Sequence, residues 1–208
     1  MKKRVRFLTR LIGILIIVAL ILVTPIVLSG YQMYKDAVKG VPLYEKVASL
    51  KTDPSYASID EIAPTFLVQV VTSEDRKFYE HFGINLSSTA RAFIKNFLAG
   101  AKVEGGSSIT QQLAKNMYFS FEKQYERKVA ELFVAFELER EYEKIDILEM
   151  YVNIAYFGEG AYGIREASEH YYGIEPIALT NEQSAALVYT LKSPNYYNPN
   201  ALLEKDSE

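Results

Sequence analysis

The feature that most constrains this chain is a charge-free stretch of eighteen residues, 11 to 28, close to the N-terminus. A stretch of about that length is the minimum that crosses a bilayer as an α-helix. Phe7 and Leu8 extend its apolar character, and Pro25 is tolerated in a helix surrounded by lipid. The chain is therefore expected to contain one transmembrane helix, which separates a short tail from everything that follows.

Basic residues before this stretch predict its direction across the membrane. Five of them lie within the first ten positions: Lys2, Lys3, Arg4, Arg6 and Arg10. Because basic flanks stay in the cytoplasm, residues 1–10 are expected as a cytoplasmic tail and residues 11–28 as a single-pass anchor in the cell membrane. Residues 29–59 then form an extracytoplasmic stalk and entry segment, and residues 60–208 an extracytoplasmic domain. A cleaved signal peptide, with the cut before Gly30, is the alternative.

The charge of the part after the anchor excludes one class of partner. Without the five basic residues of the tail, 18 Lys and Arg stand against 26 Asp and Glu, a net charge of −8. Such a balance disfavours nucleic acid, whose phosphates attract basic surfaces. The chain has no cysteine, which excludes disulfides, and its two histidines are too few for a histidine-based zinc site. Affinity for a phosphate group must come from a local basic cluster.

The spacing of apolar residues after the stalk predicts a mainly α-helical domain. Helices are expected over residues 122–143, 145–156 and 181–191, the last of them closing the domain. Residues 158–163 match Gly-x-Gly-x-x-Gly, but they follow a helical segment rather than a strand, so they predict a tight turn and not a dinucleotide site. Residues 90–101 are apolar with basic flanks, a pattern that fits a core helix and a helix dipping into the membrane interface equally well.

Two glutamates are candidate catalytic residues. Glu74 follows a hydrophobic run, and on a continuing helix it would share a face with Phe78 and His81. Aromatic surface raises the pKa of a carboxyl group and suits a general base. Glu131 lies one turn from two basic residues, which keep it ionised. Each glutamate also has an ordinary interpretation, Glu74 as a solvated side chain and Glu131 as one half of a surface ion pair.

A polar segment between the two glutamates carries the groups that bind sugars and phosphates. It begins with two glycines, which allow close backbone approach, and continues with hydroxyl and amide side chains that suit sugar hydroxyls. Cations suited to a diphosphate follow. The candidate substrate- and diphosphate-binding residues are Ser107, Gln111, Gln112, Lys115, Asn116, Lys123, Arg127 and Lys128. This combination points to glycosyl chemistry next to an anionic group.

With these residues in view, the chain resembles the peptidoglycan glycosyltransferases of family 51, which occur as monofunctional transglycosylases and as the N-terminal domain of class A penicillin-binding proteins. Five motifs carry the resemblance: EDxxFxxHxG from Glu74, GSSITQQLxKN from Gly106, RKxxE from Arg127, KxxILExYVN from Lys144 and YFGxGxxGI from Tyr156. A closing KSPxxYNP is also similar to the family, and the resemblance covers residues 60–199. The departures are Ser108 for Thr, Val152 for Leu, and Lys123 for Arg, which loses the bidentate fork.

The resemblance implies a lysozyme-like helical head with a small membrane-associated lobe. It also implies lipid II, a disaccharide-pentapeptide on undecaprenyl diphosphate, as substrate. Glu74 would deprotonate the 4-hydroxyl of the acceptor GlcNAc, which would attack C1 of the donor MurNAc with inversion. Glu131 would orient the cations that stabilise the leaving diphosphate. Supporting roles fall to Asp75, Phe78, His81, Gly83, Thr110, Lys144, Glu149, Tyr151 and Asn153. No cofactor is required, and a divalent cation, Mg2+ or Mn2+, near Glu131 is left open.

The resemblance further implies partners and leaves two rival functions. The partners are lipid II, the growing glycan strand, the bacterial membrane and other cell-wall synthesis proteins. The basic helix that usually ends the family domain is not in the sequence, so the domain is expected either as a complete monofunctional enzyme or as C-terminally truncated. The rivals are a membrane-anchored glycan hydrolase or lytic transglycosylase, with Glu74 as the acid, and an inactive cell-wall assembly scaffold.

Overall fold

The computed structural model describes residues 2–101, 103–119 and 125–206. Within them the regular elements are α-helices and short 3-10 turns, with an isolated β-bridge between Tyr156 and Tyr162. In chain order the helices are α1 (Lys2–Gly40), α2 (Leu43–Lys51), α3 (Pro64–Glu74), α4 (Leu86–Ala99), α5 (Ile109–Tyr118), α6 (Tyr125–Glu141), α7 (Lys144–Ile154), α8 (Ile164–Tyr172), α9 (Asn181–Thr190), α10 (Pro194–Tyr197) and α11 (Pro199–Asp206). The 3-10 turns are Ile59–Glu61, Phe78–Glu80 and Pro176–Ala178. The mainly α-helical fold expected from the sequence is confirmed.

Helix α1 is one continuous helix of 39 residues, roughly 58 Å long at a rise of about 1.5 Å per residue. Pro25 lies inside it, and most of its apolar side chains between residues 11 and 28 are exposed. Among the described residues it is the one helix that is long and apolar enough to span a membrane. A secretory signal sequence has the same properties, so the retention and orientation of this anchor stay predictions.

The core forms where α5 packs against α6 and α7. All but one of the buried apolar residues of these three helices, Ala130 being the exception, belong to one cluster, which also takes in the buried face of α3. Helix α3 packs on α9, and its Phe66 ring lies 6.3 Å from the ring of Phe157. Burial of each large apolar side chain contributes roughly 1.5–3 kcal/mol. Helix α5, which carries most of the polar segment singled out in the sequence, is thus held rigidly from two sides.

The segment expected as a stalk folds as part of the domain. Helix α1 continues to Gly40 and lies along α6, and α2 packs on α7. Leu43, Val47 and Ala57 are buried in the core cluster. Residues 29–59 therefore supply core side chains instead of forming a separate spacer.

Helix α4 exposes four large apolar side chains next to one another. The exposed fractions of Phe93, Ile94, Phe97 and Leu98 are 71%, 57%, 77% and 79%. The rings of Phe93 and Phe97 stack along the helix with their centroids 6.4 Å apart, and Ala92 is the buried residue of this helix. The alternative of a core helix is therefore wrong for this segment, and a contiguous apolar face of this kind is typical of an interaction surface.

Two expectations about the helices are wrong, and the predicted start of one helix lies outside the described residues. Helix α3 ends at Glu74 because Asp75 leaves the helical region, with φ −154° and ψ 77°. Glu74 and His81 therefore do not share a helix face, contrary to the expectation from their spacing. Helix α6 begins at Tyr125 in the described part of the chain, since residues 120–124 lie outside it. Helix α9 is not the last helix, because α10 and α11 follow it.

Candidate active site

Glu74 lies at the C-terminal end of α3 and is held against α5 by an amide. Gln112 Nε2 donates a hydrogen bond of 3.1 Å to Glu74 Oε2, and Gln112 Oε1 accepts one of 3.2 Å from the Tyr151 hydroxyl. Burial raises the pKa of Tyr151 well above its ordinary value, and the charge of Glu74 raises it further. Tyr151 therefore stays protonated and keeps the Gln112 amide turned with its NH2 group toward Glu74. Glu74 is partly exposed, which leaves its carboxylate accessible.

Asp75, the residue after Glu74, holds the end of α3 in place. It is 3% exposed, and its side chain is bonded to three groups from two other segments. Its Oδ2 lies 2.7 Å from His81 Nε2 and accepts a hydrogen bond of 3.2 Å from the backbone N–H of Ile109. Its Oδ1 accepts one of 3.0 Å from Asn85 Nδ2. A negative charge at the N-terminus of α5 is also favoured by the helix dipole. Asp75 thus ties the end of α3 to the start of α5.

The N-terminus of α5 is closed by a capping box. Ser108 Oγ accepts a hydrogen bond of 3.1 Å from Gln111 N, and Gln111 Oε1 accepts one of 3.0 Å from Ser108 N. Ser108 Oγ also donates one of 2.6 Å to the Gly83 carbonyl. Gly83 has φ +77°, and a Cβ there would lie 3.1 Å from the Phe136 ring. The side-chain oxygen of Gln111 and the backbone carbonyl of Gly83 therefore both stabilise the first turn of α5.

A polar stripe runs along the accessible side of α5. Gln112, Lys115 and Asn116 are partly exposed, whereas Leu113 and Ala114 beside them are buried. The spacing of i, i+3 and i+4 places the three polar residues on one helical face. This face starts at the amide that binds Glu74 and extends one helical turn away from it, so its polar groups are accessible to a ligand beside the carboxylate.

A cluster of two cations surrounds the second candidate carboxylate at the start of α6. Glu131 is fully buried; its Oε1 lies 3.0 Å from Arg127 Nε, and its Oε2 lies 2.5 Å from Lys128 Nζ. Lys128 Nζ also donates a hydrogen bond of 3.1 Å to Ser107 Oγ. The Lys128 side chain is 45% exposed and that of Arg127 is 12% exposed. Lys123, expected in the same cluster, lies outside the described residues.

Three of the expected supporting residues meet around a glutamate that sequence analysis missed. Glu139 Oε1 accepts hydrogen bonds of 2.5 Å from Thr110 Oγ1 and of 2.7 Å from Lys144 Nζ. Lys144 Nζ also lies 4.4 Å from the centre of the Phe78 ring. This unit joins α5, α6 and α7 beneath the site. Glu139 gave no sequence signal, because its partner Thr110 is 29 residues away.

Glu149 and Asn153 are brought together elsewhere on α7. Glu149 accepts hydrogen bonds of 2.6 Å from the Tyr56 hydroxyl and of 2.8 Å from Ile59 N. Asn153 bonds both the N–H and the carbonyl of Ala57 at 2.8 Å. Burial, and then the bond to Glu149, raise the pKa of Tyr56. These two residues thus fasten the segment after α2 to the domain, and their bonds are not with the groups around Glu74.

The surroundings of Glu131 do not fit the divalent cation that the sequence left open beside it. Hard divalent cations are bound by several oxygen ligands. Among the residues that the structure describes, no group of three or more His, Cys, Asp or Glu side chains is arranged to hold a metal ion. Both Glu131 oxygens instead face the positive charges of Arg127 and Lys128, which would repel a cation placed there. The arrangement is suited to an anion beside the two basic side chains.

Comparison with known proteins gives a consistent result. A family model described as Transglycosylase matches residues 43–208. The chain is 44% identical over 165 residues to Penicillin-binding protein 1F of Bacillus subtilis (strain 168), which covers 79% of this chain and 23% of that protein. It is 43% identical over 144 residues to Penicillin-binding protein 1A of Aquifex aeolicus (strain VF5), covering 69% of this chain and 20% of that protein.

A shorter relative is matched over more of its own length. The chain is 37% identical over 153 residues to Biosynthetic peptidoglycan transglycosylase of Nitrosospira multiformis, which covers 74% of this chain and 66% of that protein. The chain therefore spans less than a quarter of the two penicillin-binding proteins and about two thirds of the transglycosylase.

Proposed function

Because this chain belongs to the transglycosylase family, the peptidoglycan glycosyltransferases of family 51, we propose that it polymerises lipid II into glycan strands. One observation carries the proposal: an accessible carboxylate and the cation of Lys128 both contact the start of α5, and Lys128 shares the buried Glu131 with Arg127. Glu74 is hydrogen-bonded to Gln112. Lys128 is hydrogen-bonded to Ser107, which lies five positions before Gln112 in the chain. A base for the attacking hydroxyl and positive charge for the leaving group are the two requirements of glycosyl transfer from a lipid diphosphate.

In the proposed step, Glu74 accepts the proton of the 4-hydroxyl on the acceptor GlcNAc. That oxygen forms a bond to C1 of the donor MurNAc, which carries the growing strand. The bond between C1 and the diphosphate oxygen breaks, and its electron pair leaves with the undecaprenyl diphosphate. Attack from the face opposite the leaving group inverts the configuration at C1. The bond from Gln112 keeps the Glu74 carboxylate oriented throughout, since Gln112 is itself held by Tyr151.

The charge of the leaving diphosphate is balanced by basic side chains. Lys128 is 45% exposed and bonded to Ser107, so its charge is accessible to a bound anion, and Arg127 lies one position before it on α6. Lys115 adds a third cation on the polar stripe of α5. Buried Glu131 holds Arg127 and Lys128 next to each other, which reduces their mutual repulsion. In this proposal no cofactor is required, and no step passes through a metal ion.

The same contacts argue against glycan cleavage as the main activity. Glycoside hydrolases use a second carboxyl group that faces the scissile bond or an attacking water. Here the second candidate, Glu131, is fully buried between two cations and cannot reach a sugar. The Glu131 side chain is therefore assigned to binding the cations and not to acid–base chemistry.

We place this reaction at the outer surface of the cell membrane. The basic tail before the apolar stretch supports a cytoplasmic N-terminus. The exposed apolar face of α4, flanked by Arg91 and Lys95, supports contact of this lobe with lipid, since basic side chains beside an apolar face reach head groups. Partners in this setting are lipid II, the growing glycan strand and other cell-wall synthesis proteins.

The test is the purified full chain incubated with labelled lipid II, with the polymer separated on a gel. Glu74→Gln keeps the shape of the side chain but removes the base, so we expect no polymer and an unchanged melting temperature. Glu80→Gln is the matched control, since Glu80 is exposed and makes a surface pair of 3.8 Å with Lys77. It should polymerise at the parent rate.

Each other outcome points to a rival. Polymer from Glu74→Gln at more than a few per cent of the parent rate would remove Glu74 from the role of base. A parent protein that cleaves preformed glycan but makes no polymer would be a hydrolase or lytic transglycosylase. A folded parent protein that turns over neither substrate would support the assembly scaffold.

A further inference from the structure

Helices α1 and α6 meet at a glycine. Gly30 is buried although it follows the apolar stretch by only two residues. A Cβ added to it would lie 2.5 Å from Val129 Cβ and 2.6 Å from the Glu126 carbonyl oxygen. One of these neighbours is backbone and cannot rotate away. The two helices are therefore in direct backbone contact at this point, and any side chain at position 30 must push them apart.

The contact continues along both helices in the same direction. Four residues after Gly30, the Tyr34 ring stacks on Phe133 with centroids 5.5 Å apart, and its hydroxyl donates a hydrogen bond of 2.9 Å to Glu137. Tyr31 meets the same Phe133 ring edge-on at 5.0 Å. Gly30 lies beside the start of α6, and Tyr34 lies further along it. The helices are thus parallel, and the N-terminal turn of α6 is the end that lies nearer to the apolar stretch.

This parallel arrangement fixes the level of the two site cations. Arg127 and Lys128 occupy the positions between the two residues that Gly30 touches. The apolar stretch ends at residue 28, about 3 Å below Gly30 along the α1 axis at about 1.5 Å per residue. Since α1 is continuous through this region, the α6 backbone at Arg127 and Lys128 lies within about one helical turn, roughly 5.4 Å, of the level at which α1 leaves apolar surroundings.

We infer that Gly30 is a positioning residue: its contact with α6 sets the height of Arg127 and Lys128 at the membrane surface, level with the diphosphate of a lipid-linked substrate. The inference rests on the proposed function for the identity of that substrate. A diphosphate on a lipid lies where the apolar chains end, so cations held at that level meet it without lifting the lipid from the bilayer. The close contact of α1 with α6 at Gly30 holds the two basic residues at this level.

The first experiment measures height and needs no activity. The chain contains no cysteine, so Tyr125→Cys, at an 80% exposed position that begins α6, gives a single labelling site. With the full chain in phosphatidylglycerol-containing liposomes, a fluorophore there should be quenched by lipids labelled near the head group. Adding Gly30→Leu, or the milder Gly30→Ala, should reduce quenching of the fluorophore by the labelled lipids and increase its quenching by a water-soluble quencher. Gly13→Leu is the control, because a Cβ at Gly13 has nothing within 4 Å.

The second experiment compares two substrates. Gly30→Leu should lower turnover of lipid II embedded in liposomes at least tenfold. Turnover of a short-chain, water-soluble lipid II analogue should fall less than threefold, and the melting temperature of the Gly30→Ala protein should stay within a few degrees of the parent. A merely structural role would lower both activities equally.

Failure of the inference is distinguishable from failure of the proposed function. An unchanged label depth in both Gly30 variants, or an equal loss on both substrates, would overturn the inference. A parent protein without polymerase activity would overturn the proposed function, and the depth measurement would still decide whether Gly30 sets the height of α6.

Discussion

Replacing Glu131 by glutamine tests the buried ion cluster most directly. The change keeps the size of the side chain but removes the negative charge from a fully buried position between Arg127 and Lys128. Arg127, only 12% exposed, would then lose its counter-charge. We expect the domain to lose about 3 kcal/mol of stability, at the lower end of the roughly 3–5 kcal/mol typical when one partner of a buried pair is removed.

The magnitude follows from the two contacts. At 3.0 Å and an effective dielectric constant of about 20, the gross attraction between Arg127 and Glu131 is about 5.5 kcal/mol. Part of it offsets the cost of burying both charges. Lys128 is 45% exposed, so water replaces much of its contact after the change and its share is small. A loss of about 3 kcal/mol lowers the melting temperature of a domain of this size by about 6–12 °C.

The assay is thermal unfolding of the full chain in detergent, followed by turnover of lipid II measured well below the melting temperature. Glu131→Gln should lose turnover beyond its loss of folded protein, because the cations are no longer held together. The matched control is Glu169→Gln, an exposed glutamate whose replacement should change stability by less than about 0.5 kcal/mol.

A double variant decides whether the lost charge is the cause. Glu131→Met with Arg127→Met removes both charges, and it should be more stable than Glu131→Gln, since replacing a buried pair by apolar groups is often neutral. It should nevertheless be inactive. The reasoning would be refuted by a Glu131→Gln protein as stable as the parent, or by a double variant that is less stable than the single one.

The other predictions concern helix α4, the loop that follows it and the apolar stretch of α1. The double change Phe93→Ser and Phe97→Ser should leave the melting temperature unchanged, because both side chains are exposed, but it should weaken binding to anionic vesicles. A large drop in melting temperature would contradict the exposed position of these side chains. Hydrogen bonds from Lys95, then Arg91, lower the pKa of Glu104 from its usual 4.5, so its contribution to stability is present above pH 4.5 and lost as pH falls through the folded-state pKa. Glu104→Gln should abolish this pH dependence, measured as amide hydrogen exchange of the loop between α4 and α5. If the pH dependence persists in that variant, a group other than Glu104 causes it. Protease added outside intact cells should digest everything after the apolar stretch, whereas a mature chain starting just after it would show a cleaved signal peptide.

The sequence by itself determined the features that depend on near neighbours. The apolar stretch of α1 is one continuous run of residues, and the pairing of Arg127 with Glu131 follows from residues one helical turn apart. Local spacing is enough for such features, because a helix places i and i+4 side chains together in any fold. The family motifs likewise identified the residues around Glu74, but not their bonds.

Only the tertiary structure decided which of these features are buried and what they touch. The spacing of Arg127 and Glu131 is the same for a surface pair and a buried one, and packing of α6 placed Glu131 at 0% exposure. Asp75 binds Ile109, 34 positions away, and Gly30 meets Val129, 99 positions away. Contacts at such separations depend on how whole helices pack, which residue spacing does not specify. For the same reason, the apolar pattern of α4 fitted a core helix and an exposed one equally well until its neighbours were placed.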